Sequence, residues 1–404
     1  MSQAPRVVVV TSRLDVGGTE RHLTRVLPAL QRRGIDIALY VMERGGPLEG
    51  ELSANGVRVE GPSRAGFLHW PKATLALARF LRRERPAIVH FFLPRPYVCG
   101  SVAAELAGQR RRIMSRRSLT DYQTRYPLLG SFERLLHRRT LGVIGNSQAV
   151  VDQLAQEVDD HGKLALIHSG IELPEPMTSS DRQRIRRALR IPHDALVITV
   201  VANLVAYKGH QDLIEALALV KDELPTPWQI LAIGRDDGIG EELKERAETL
   251  NISANIVLLG ERSDVGELLA ASDIFVLPSH QEGFSNALLE AMAANVPAIA
   301  TAVGGNIDAV VDNNTGLLVR PHDPEALGAA IVRLAKDPAL RRRLAEAARL
   351  RAEERFSLDA CVGRYERLYR ALNEPAPRPV SEILADTFDD DRRGKLAATI
   401  EHAH

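Results

Sequence analysis

The hydrophobic positions in the first part of the chain form short apolar runs separated by longer amphipathic stretches. Such runs lie at 6–14 (RVVVVTSRL), 35–41 (IDIALYV), 87–93 (AIVHFFL), 141–147 (LGVIGNS) and 164–170 (LALIHSG). Their length and their content of Val, Ile and Leu predict buried strands. Strands that alternate with helices predict a parallel sheet covered by helices, which is an α/β architecture.

The first amphipathic stretch has the periodicity of a helix. The apolar residues that recur at the spacing of one helix face are Leu23, Val26, Leu27 and Leu30. We expect Thr19 to be the N-cap of this helix, because its hydroxyl can accept from a main-chain N–H. Gly34 is the expected end, since glycine adopts the left-handed conformation that terminates many helices.

A second series of alternating elements follows a Pro- and Ser-rich stretch at 172–181, which we interpret as a linker. Its predicted strands lie at 195–204, 228–234, 255–260, 273–279, 297–302 and 316–319. Its predicted helices lie at 210–224, 240–250, 264–272, 285–295 and 323–336, with two more at 338–356 and 358–373. The pattern therefore predicts two Rossmann-like domains in tandem, with domain boundaries at 1–171 and 182–356. The charged, Pro-interrupted segment 374–404 is expected to be a loosely attached tail.

The composition fits this organisation and narrows the class of protein. The chain has 404 residues, of which 45% are hydrophobic and 26% are charged, values typical of a soluble globular protein. Its two cysteines, Cys99 and Cys361, are far apart, which favours a reduced, cytoplasmic protein. We expect no leader, because a strand-like run already starts by Val7, and no membrane span, because no apolar stretch reaches about 20 uninterrupted residues.

The net charge of zero hides a difference between the two parts of the chain. Residues 1–170 carry a net charge of +10 and the remainder carries −10. Arginine clusters lie at 79–86, 110–117 and 134–140, and the first and last read as helices with Phe80, Leu81, Leu135 and Leu136 beside the basic residues. This pattern favours peripheral contact with an anionic membrane. The alternatives are attraction to the acidic part of the chain and binding of a soluble anionic acceptor.

The turn DVGGTERHL offers a first candidate site. Gly17 and Gly18 follow the first strand and open the first helix, where main-chain N–H groups can bind an anion or a sugar. The two glycines fit a simple tight turn equally well. They do not form the G-x-G-x-x-G pattern, which argues against a nicotinamide-dependent dehydrogenase.

The turn ANLVAYKGHQDL opens the second series in the same way. It places Lys208 near the start of a helix, where a cation suits a phosphate group. A single exposed lysine commonly has no such role, so its place in the fold carries the interpretation.

The stretch SHQEGFSNALLEAMAANVPAIAT contains two carboxylates in a largely apolar context. Glu282 lies in the loop after a predicted strand, and Glu290 lies about one turn into a helix that starts at Ser285 or Asn286. The main-chain N–H groups at the helix start belong to Gly283, Phe284 and Ser285. These donors suit a diphosphate, and the carboxylates suit vicinal hydroxyls, so a polyhydroxylated ligand is indicated. Alternatively, Glu290 caps neighbouring backbone and Glu282 is solvated.

Two further features belong to the second series. Gly304 and Gly305 form another turn at a strand end near the same pocket, and Asp308 is either a ligand contact or a helix-start acid. The adjacent Asp236 and Asp237 are interpreted as a solvated pair and not as a metal site.

In this order, the motifs resemble those of the retaining glycosyltransferases of GT-B fold, in the family numbered four. The resemblance covers about 6–372 and comprises GGTERHL, RRSLTDY, GNSQAV, IHSGIEL, VANLVAYKGH, GERSDV, EGFSNALLEAMA and VGGNIDAVVDNNTGLLV. It implies two Rossmann-like domains facing across a cleft. It also implies that a C-terminal helix at about 357–373, near Tyr365 and Tyr369, returns to the first domain.

The resemblance implies a donor site for a nucleoside-diphosphate sugar. Glu290 would bind the ribose, Glu282 the sugar hydroxyls, and Lys208 the diphosphate, with the nucleobase near Arg262. The donor-binding set is Gly17, Gly18, Asn203, Lys208, Arg262, Glu282, Gly283, Phe284, Ser285, Asn286 and Glu290. The catalytic set is Glu282, Lys208 and His90, with no metal.

Two positions depart from the family pattern. Asn203 stands where the family usually has an arginine that pairs with the lysine on the diphosphate, so Arg235 or an arginine of the first domain is the candidate replacement. The family often has His-x-His after the fourth strand, whereas this chain has His90 followed by Phe91 and Phe92. A structural role for His90 is the alternative to a catalytic one.

The implied activity is transfer of a hexosyl or N-acetylhexosaminyl group to a hydroxyl acceptor, with retention of configuration and without a metal or other cofactor. The implied setting is synthesis of a surface glycan, a lipid-linked glycan or a glycolipid, in the cytoplasm and at the inner face of the membrane. No nucleic-acid partner is expected. The alternatives are a nucleotide-sugar epimerase or hydrolase of the same fold and a non-catalytic sugar-nucleotide-binding subunit.

Overall fold

The computed structural model describes residues 4–63, 70–119, 123, 127–175 and 177–385. The chain divides into two compact units. The first unit runs to Gly170 and resumes at Cys361, and the second unit is Ile171–Ala360. Each unit is built around one parallel sheet, so the predicted pair of Rossmann-like α/β domains is confirmed.

The first unit has seven strands among its described residues, in the order β3-β2-β1-β4-β5-β6-β7. They are β1 (Arg6–Thr11), β2 (Asp36–Val41), β3 (Arg58–Glu60), β4 (Ile88–Phe92), β5 (Arg112–Arg116), β6 (Gly142–Gly145) and β7 (Leu164–Leu166). The helices between them are α1 (Gly18–Arg32), α2 (Glu49–Ala54), α3 (Trp70–Glu84), α4 (Pro94–Leu106), α5 (Pro127–His137) and α6 (Gln148–Ala155).

The second unit has six strands, in the order β10-β9-β8-β11-β12-β13, within the part that the structure describes. They are β8 (Leu196–Val201), β9 (Trp228–Ile233), β10 (Ile256–Gly260), β11 (Ile274–Leu277), β12 (Ala298–Thr301) and β13 (Leu317–Val319). Its helices are α7 (Ser179–Ala188), α8 (His210–Val220), α9 (Gly240–Thr249), α10 (Val265–Ala270), α11 (Asn286–Ala293), α12 (Asn306–Ala309), α13 (Pro324–Lys336) and α14 (Pro338–Phe356).

Both sheets have the same connectivity, and it determines where a ligand can bind. In each sheet the first strand is central, the next two extend to one side, and the fourth lies on the other side. The order in which strands are added therefore changes side between the neighbouring strands β1 and β4 of the first sheet. The same change of side occurs between β8 and β11 of the second sheet. Ligands of such sheets bind at this reversal, outside the carboxyl ends of the strands.

The start of the first unit follows the apolar pattern closely. Val7–Val10 are completely buried, and so is the predicted apolar face of α1. Gly34 has φ +82°, as its role in ending the helix requires. The predicted N-cap is wrong, because Gly17 precedes the helix and no side chain caps it, while Thr19 lies inside α1.

Two strands of the first sheet, β3 and β5, were not predicted. The sequence of β5 shows why that strand was missed. It lies inside the arginine cluster at 110–117, where charge conceals the short apolar segment. Arg116 is completely buried and pairs with Glu157 at 2.5 Å and with Glu133 at 3.3 Å. Burial alone would raise the pKa of Glu157, but the nearby His137 side chain and the hydrogen bonds from Arg116 hold it at about 2. This cluster is therefore partly structural, and the expectation that it forms an exposed basic surface is wrong for Arg116.

The predicted linker and tail are more ordered than their composition indicates. The last residues of 172–181 open α7, whose N-cap is Thr178. In the segment beyond Asn373, Val380, Ile383 and Leu384 are buried, so the tail is not loosely attached up to residue 385. Residues 386–404 lie outside the described residues.

Two helices that follow the second unit in the sequence pack as part of the first unit. They are α15 (Leu358–Leu372), which belongs to this unit from Cys361 onward, and the short α16 (Val380–Ile383). Tyr365 and Tyr369 of α15 are 1% exposed. Among the described residues, no helix has both the length and the apolar character needed to cross a membrane.

Candidate functional site

Two turns of the second unit meet at the point where the sheet reverses. The turn after β8 contains Tyr207, Lys208 and Gly209, and the loop after β11 begins at Pro278. The main-chain N–H of His280 donates to the carbonyl of Tyr207 at 2.8 Å. Gly209 has φ +70°, and a Cβ at this position would lie 2.0 Å from the Pro278 carbonyl oxygen. The lysine and the loop are thus held together by main chain.

Lys208 and Glu282, both predicted site residues, form an ion pair at this junction. Lys208 Nζ donates to Glu282 Oε1 at 2.6 Å, and Ser279 Oγ donates to the same oxygen at 2.8 Å. The two charged side chains are 18% and 9% exposed. The alternative that Glu282 is simply solvated is therefore wrong. Because both groups remain partly accessible, the pair can offer a cation and an acceptor to one ligand.

The loop between Glu282 and α11 is fixed by the glycines of the next turn. Ser285 is the N-cap of α11 and accepts from the Leu288 N–H at 3.3 Å, as predicted for the helix start. Gly305 donates its N–H to the Gly283 carbonyl at 3.1 Å. Gly304 has φ +46°, and a Cβ there would lie 1.7 Å from the Glu282 carbonyl oxygen. The VGG turn thus lies against the same loop, as expected.

The remaining predicted residues of this loop have different exposures. Phe284 is buried and packs against Phe356, with ring centroids 5.4 Å apart. Asn286 and Glu290 are half-buried and one helical turn apart on α11. Because residues four apart share a helix face, the structure places these two polar side chains on the same side of α11.

Asn203 and Arg235 are brought together by a carboxylate. Asn203 Nδ2 donates to Asp237 Oδ2 at 3.0 Å, and Arg235 Nε donates to Asp237 Oδ1 at 2.7 Å. The hydrogen bond from Arg235 lowers the pKa of Asp237. The structure therefore supplies a cation beside the position where the family pattern has lost one.

Asp236 and Asp237 are exposed to solvent, as the sequence interpretation expected, and each also has hydrogen-bond partners nearby. Asp236 Oδ1 accepts the main-chain N–H groups of Gly238, Ile239 and Gly240 at 2.9, 3.2 and 3.0 Å. These hydrogen bonds lower the pKa of Asp236. Both carboxylates thus have local partners.

Arg262, the residue predicted near the nucleobase, follows β10. Its guanidinium binds Asp264 through two hydrogen bonds of 2.8 and 2.6 Å. The side chain remains 37% exposed.

In the first unit, the Gly17–Gly18 turn lies beside the carboxylate of Glu20 at the start of α1. A Cβ on Gly17 would lie 2.4 Å from Glu20 Oε2, the end of a flexible side chain. Burial raises the pKa of Glu20. Sequence reasoning missed Glu20, although it lies inside the GGTERHL motif.

Arg117 is a second group that sequence reasoning missed, although the RRSLTDY motif contains it. It follows β5, and its Nη2 donates to Ser169 Oγ at 2.7 Å. Burial lowers its pKa. Its Nε and Nη1 atoms are buried and have no hydrogen-bond partner among the described residues, and the same holds for Asn146 Oδ1. Since buried polar atoms are normally paired, these atoms indicate a polar ligand or water at this edge of the sheet.

His90 lies in the core of the first unit and not at a reactive surface. It is 0% exposed, its Nδ1 is 2.7 Å from the Tyr369 hydroxyl, and its Nε2 is 2.8 Å from Ser115 Oγ. Burial, followed by the charge of Arg117, lowers the pKa of His90 to about 3. With both ring nitrogens bonded and no exposure, His90 joins β4 to α15. It has this structural role in place of the catalytic role that the sequence suggested.

Comparison with protein families gives two matches that together cover both units. The model described as "Glycosyltransferase Family 4" matches residues 16–175. The model described as "Glycosyl transferases group 1" matches residues 181–351.

Three curated relatives illustrate the range of similar proteins. N-acetyl-alpha-D-glucosaminyl L-malate synthase of Bacillus anthracis is 26% identical over 81% of this chain and 83% of the relative. D-inositol 3-phosphate glycosyltransferase of Streptomyces avermitilis is 33% identical over 59% of this chain, and the match spans only 53% of that protein. The UDP-Gal:alpha-D-GlcNAc-diphosphoundecaprenol alpha-1,3-galactosyltransferase of Escherichia coli is 26% identical over 67% of this chain and 71% of its own.

Among solved structures, the Anabaena protein Alr3699/HepE in complex with UDP superposes with a TM-score of 0.81. The two chains are 20% identical, and the match covers 90% of this chain and 99% of the Anabaena chain. At this identity the likeness establishes the fold, which is GT-B.

The buried imidazole of His90 predicts a pH dependence of stability. In the unfolded chain its pKa returns to about 6.5, so the unfolded state binds a proton that the folded state excludes down to about pH 3. The free energy of unfolding should therefore fall as the pH drops, and between pH 7 and pH 5 this one group should account for about 2 kcal/mol. Urea denaturation of His90→Asn at both pH values should show a loss smaller by that amount.

The matched control for this prediction is Tyr369→Phe. It removes the hydroxyl bonded to His90 but keeps the imidazole buried, so it should lower stability by about 1–3 kcal/mol at both pH values and retain the pH dependence. An unchanged pH dependence in His90→Asn would contradict the structural assignment.

Proposed function

We propose that this chain, which belongs to glycosyltransferase family 4 and has the GT-B fold, transfers a sugar from a nucleoside-diphosphate sugar to a hydroxyl acceptor with retention of configuration. The observation that carries the proposal is the pair of Lys208 and Glu282 at the reversal point of the second sheet. A cation and a hydroxyl acceptor lie there side by side, next to the N-terminus of α11.

The donor would use each of these groups differently. The diphosphate would draw the Lys208 ammonium from Glu282 and accept from the main-chain N–H groups at the start of α11. Glu282 would then be available to the sugar hydroxyls, and Glu290 to the ribose. Arg235, held beside Asn203 by Asp237, would be the second cation that stabilises the departing nucleoside diphosphate.

The environment of Glu282 supports a reaction without a covalent intermediate. Its Oε1 accepts from Ser279 as well as from Lys208, and the Ser279 hydrogen bond, which can remain when the lysine turns to the diphosphate, lowers the reactivity of this oxygen as a nucleophile. We therefore propose that the acceptor attacks from the face that the leaving phosphate vacates, with that phosphate taking the acceptor proton. In this scheme, Lys208 and the α11 N–H groups stabilise the negative charge on the departing diphosphate, and no metal is required.

The acceptor would bind at the carboxyl edge of the first sheet. The buried N–H groups of Arg117 that lack protein partners suit an anionic or hydroxyl-rich acceptor. Two of the relatives carry anionic compounds in their names, L-malate and inositol 3-phosphate, and a third carries a lipid diphosphate. The chemical class shared by these names is a hydroxyl compound with a nearby negative charge.

The surface of α5 supports membrane contact. Leu128, Phe132 and Leu135 are 86%, 44% and 52% exposed and recur at the spacing of one helix face. Arg138 and Arg139 follow directly and are exposed, although they pair with Asp159 and Glu105. An apolar helix face beside basic residues is typical of helices that lie in the interface of an anionic bilayer. We propose that α5 holds the enzyme at a membrane that carries its acceptor.

The first prediction separates the phosphate contact from the ribose contact. A thermal-shift panel of UDP, GDP and ADP should identify the base, since a ligand of the folded state raises the Tm; uridine nucleotides come first because the HepE structures hold UDP. By calorimetry, Lys208→Met should weaken binding of the nucleoside diphosphate but not of the nucleoside. Glu290→Ala should weaken both by about 1.5–3 kcal/mol, the contribution of a hydrogen bond to a charged group.

Matched controls for this prediction are Lys336→Met and Glu245→Ala, which replace exposed residues of the same unit. Both should bind as the wild type does. If Lys208→Met weakens the nucleoside as much as the diphosphate, the assignment of Lys208 is wrong.

The second prediction concerns the course of the reaction. With an α-linked donor and a panel of L-malate, inositol 3-phosphate and diphosphate-linked lipids, the product should carry an α linkage by proton NMR. The rate should persist in excess EDTA, because Lys208 and helix N–H groups take the place of a metal at the diphosphate. A β-linked product would overturn retention, and loss of activity in EDTA with rescue by manganese would overturn metal independence.

Two other outcomes would favour the alternative functions. Release of free sugar with every acceptor would indicate a hydrolase, and tight donor binding without turnover would indicate a non-catalytic binding subunit.

The third prediction concerns α5. Wild-type protein should co-sediment with vesicles that contain phosphatidylglycerol, not with pure phosphatidylcholine, and binding should fall as salt rises. Replacing Leu128, Phe132 and Leu135 together by Ser should abolish sedimentation and leave nucleotide binding intact. Ser at the equally exposed Leu219 and Leu350 of the second unit is the matched control and should have no effect. Equal sedimentation of wild type and the triple variant would exclude α5 as the docking surface.

A further inference from the structure

Three metal-ligating side chains of the second unit converge beside the loop that carries Glu282. Asp212 lies in the first turn of α8, His280 lies in the loop after β11, and His322 lies in the turn before α13. His280 Nε2 is 3.0 Å from Asp212 Oδ2, and the rings of His280 and His322 have centroids 3.7 Å apart with an angle of 35° between their planes. One ligand atom from each residue lies within 4.8 Å of the other two.

The backbone at His322 is in the left-handed region. Its φ is +59°, a left-handed conformation that glycine adopts without strain and that other residues rarely adopt. Glycine would therefore be the unstrained choice at this turn. The chain instead has a histidine whose ring faces a second imidazole, an arrangement that becomes repulsive when both rings are protonated.

We propose that Asp212, His280 and His322 bind a divalent transition-metal ion of the zinc class. Two imidazole nitrogens and one carboxylate oxygen are ligands that such ions prefer, whereas magnesium and calcium prefer oxygen ligands alone. Zinc binds these atoms at about 2.0–2.2 Å, which puts neighbouring ligand atoms about 3.3 Å apart. The pair formed by Asp212 and His280 is already near that separation, and the exposed His322 has room to turn toward it.

The other acidic group at this turn is already engaged. Asp323 caps α13 by accepting the Ala326 N–H at 2.8 Å. The site therefore has three protein ligands among the described residues, and water would complete the coordination. Such a site binds an exchangeable ion more readily than a permanent one, because permanent structural zinc sites have four protein ligands.

The ion would act on the position of a loop and not on the transfer chemistry. His280 donates its main-chain N–H to the Tyr207 carbonyl and lies two residues before Glu282. An ion held by all three ligands would tie this loop to α8 and to the turn before α13. None of the three ligands is proposed to contact the donor, and zinc binding is measured without donor or acceptor, so this inference and the proposed function can fail separately.

The test is calorimetric titration of the full, untagged chain with zinc chloride, and separately with cobalt and magnesium chlorides. We expect one zinc ion per chain, visible absorption from bound cobalt, and no heat from magnesium at the same concentrations. Zinc should raise the Tm, and the affinity should fall as the solution is made more acidic, because only neutral imidazole binds a metal.

His322→Asn is the decisive variant, since Asn tolerates the left-handed backbone while removing the ligand. It should weaken zinc at least tenfold, as should Asp212→Asn. His193→Asn, at an exposed histidine of the same unit, is the matched control and should bind zinc as the wild type does. Wild-type affinity in both ligand variants, or no heat from zinc with the wild-type chain, would overturn the proposal.

Discussion

The site of the second unit depends on direct contact between main chains at the carboxyl edge of its sheet. Gly209 lies against the carbonyl of Pro278, and Gly304 lies against the carbonyl of Glu282, each with a positive φ and with no space for a Cβ. Three turns that are far apart in sequence are thereby packed closer than side chains would allow. The 2.6 Å ion pair of Lys208 and Glu282 follows from this packing, because each residue is adjacent to one of the contacts or takes part in it. The glycines thus position charges that they do not carry themselves.

The alternation of elements was predictable because it depends on local pattern. Valine-rich runs became strands, and the α14 segment was predicted with its observed ends. Contacts between distant residues were not predictable in the same way. The Lys208–Glu282 pair joins two motifs 74 residues apart. The Tyr369 hydroxyl that hydrogen-bonds His90 lies 279 residues away in the sequence. The sequence identified each of these residues as a candidate. Only the fold determines whether its side chain is available to a ligand or is bonded to another residue of the protein.

The charge of the first unit illustrates the same limit. A count of net charge assumes that every arginine lies at the surface of the protein. Arg112 and Arg116, however, lie in β5 and are at most 5% exposed. Their partners are carboxylates and carbonyls of the same unit, so these two arginines stabilise the interior and do not form a basic surface. What remains at the surface is local, and on α5 it lies beside exposed apolar residues. The apolar residues of that helix, and not the total charge, distinguish it from the rest of the basic unit.

The return of α15 to the first unit has a consequence for biosynthesis. Tyr365 and Tyr369 fill the interior around His22 and His90, but the ribosome makes them only after the whole second unit. During translation, the first unit must therefore wait with an incomplete core while about 190 further residues emerge, a period of roughly ten to forty seconds at ordinary elongation rates. The second unit, which is continuous in sequence, can fold in the meantime. The second unit can therefore be complete before the first, although the first is begun earlier.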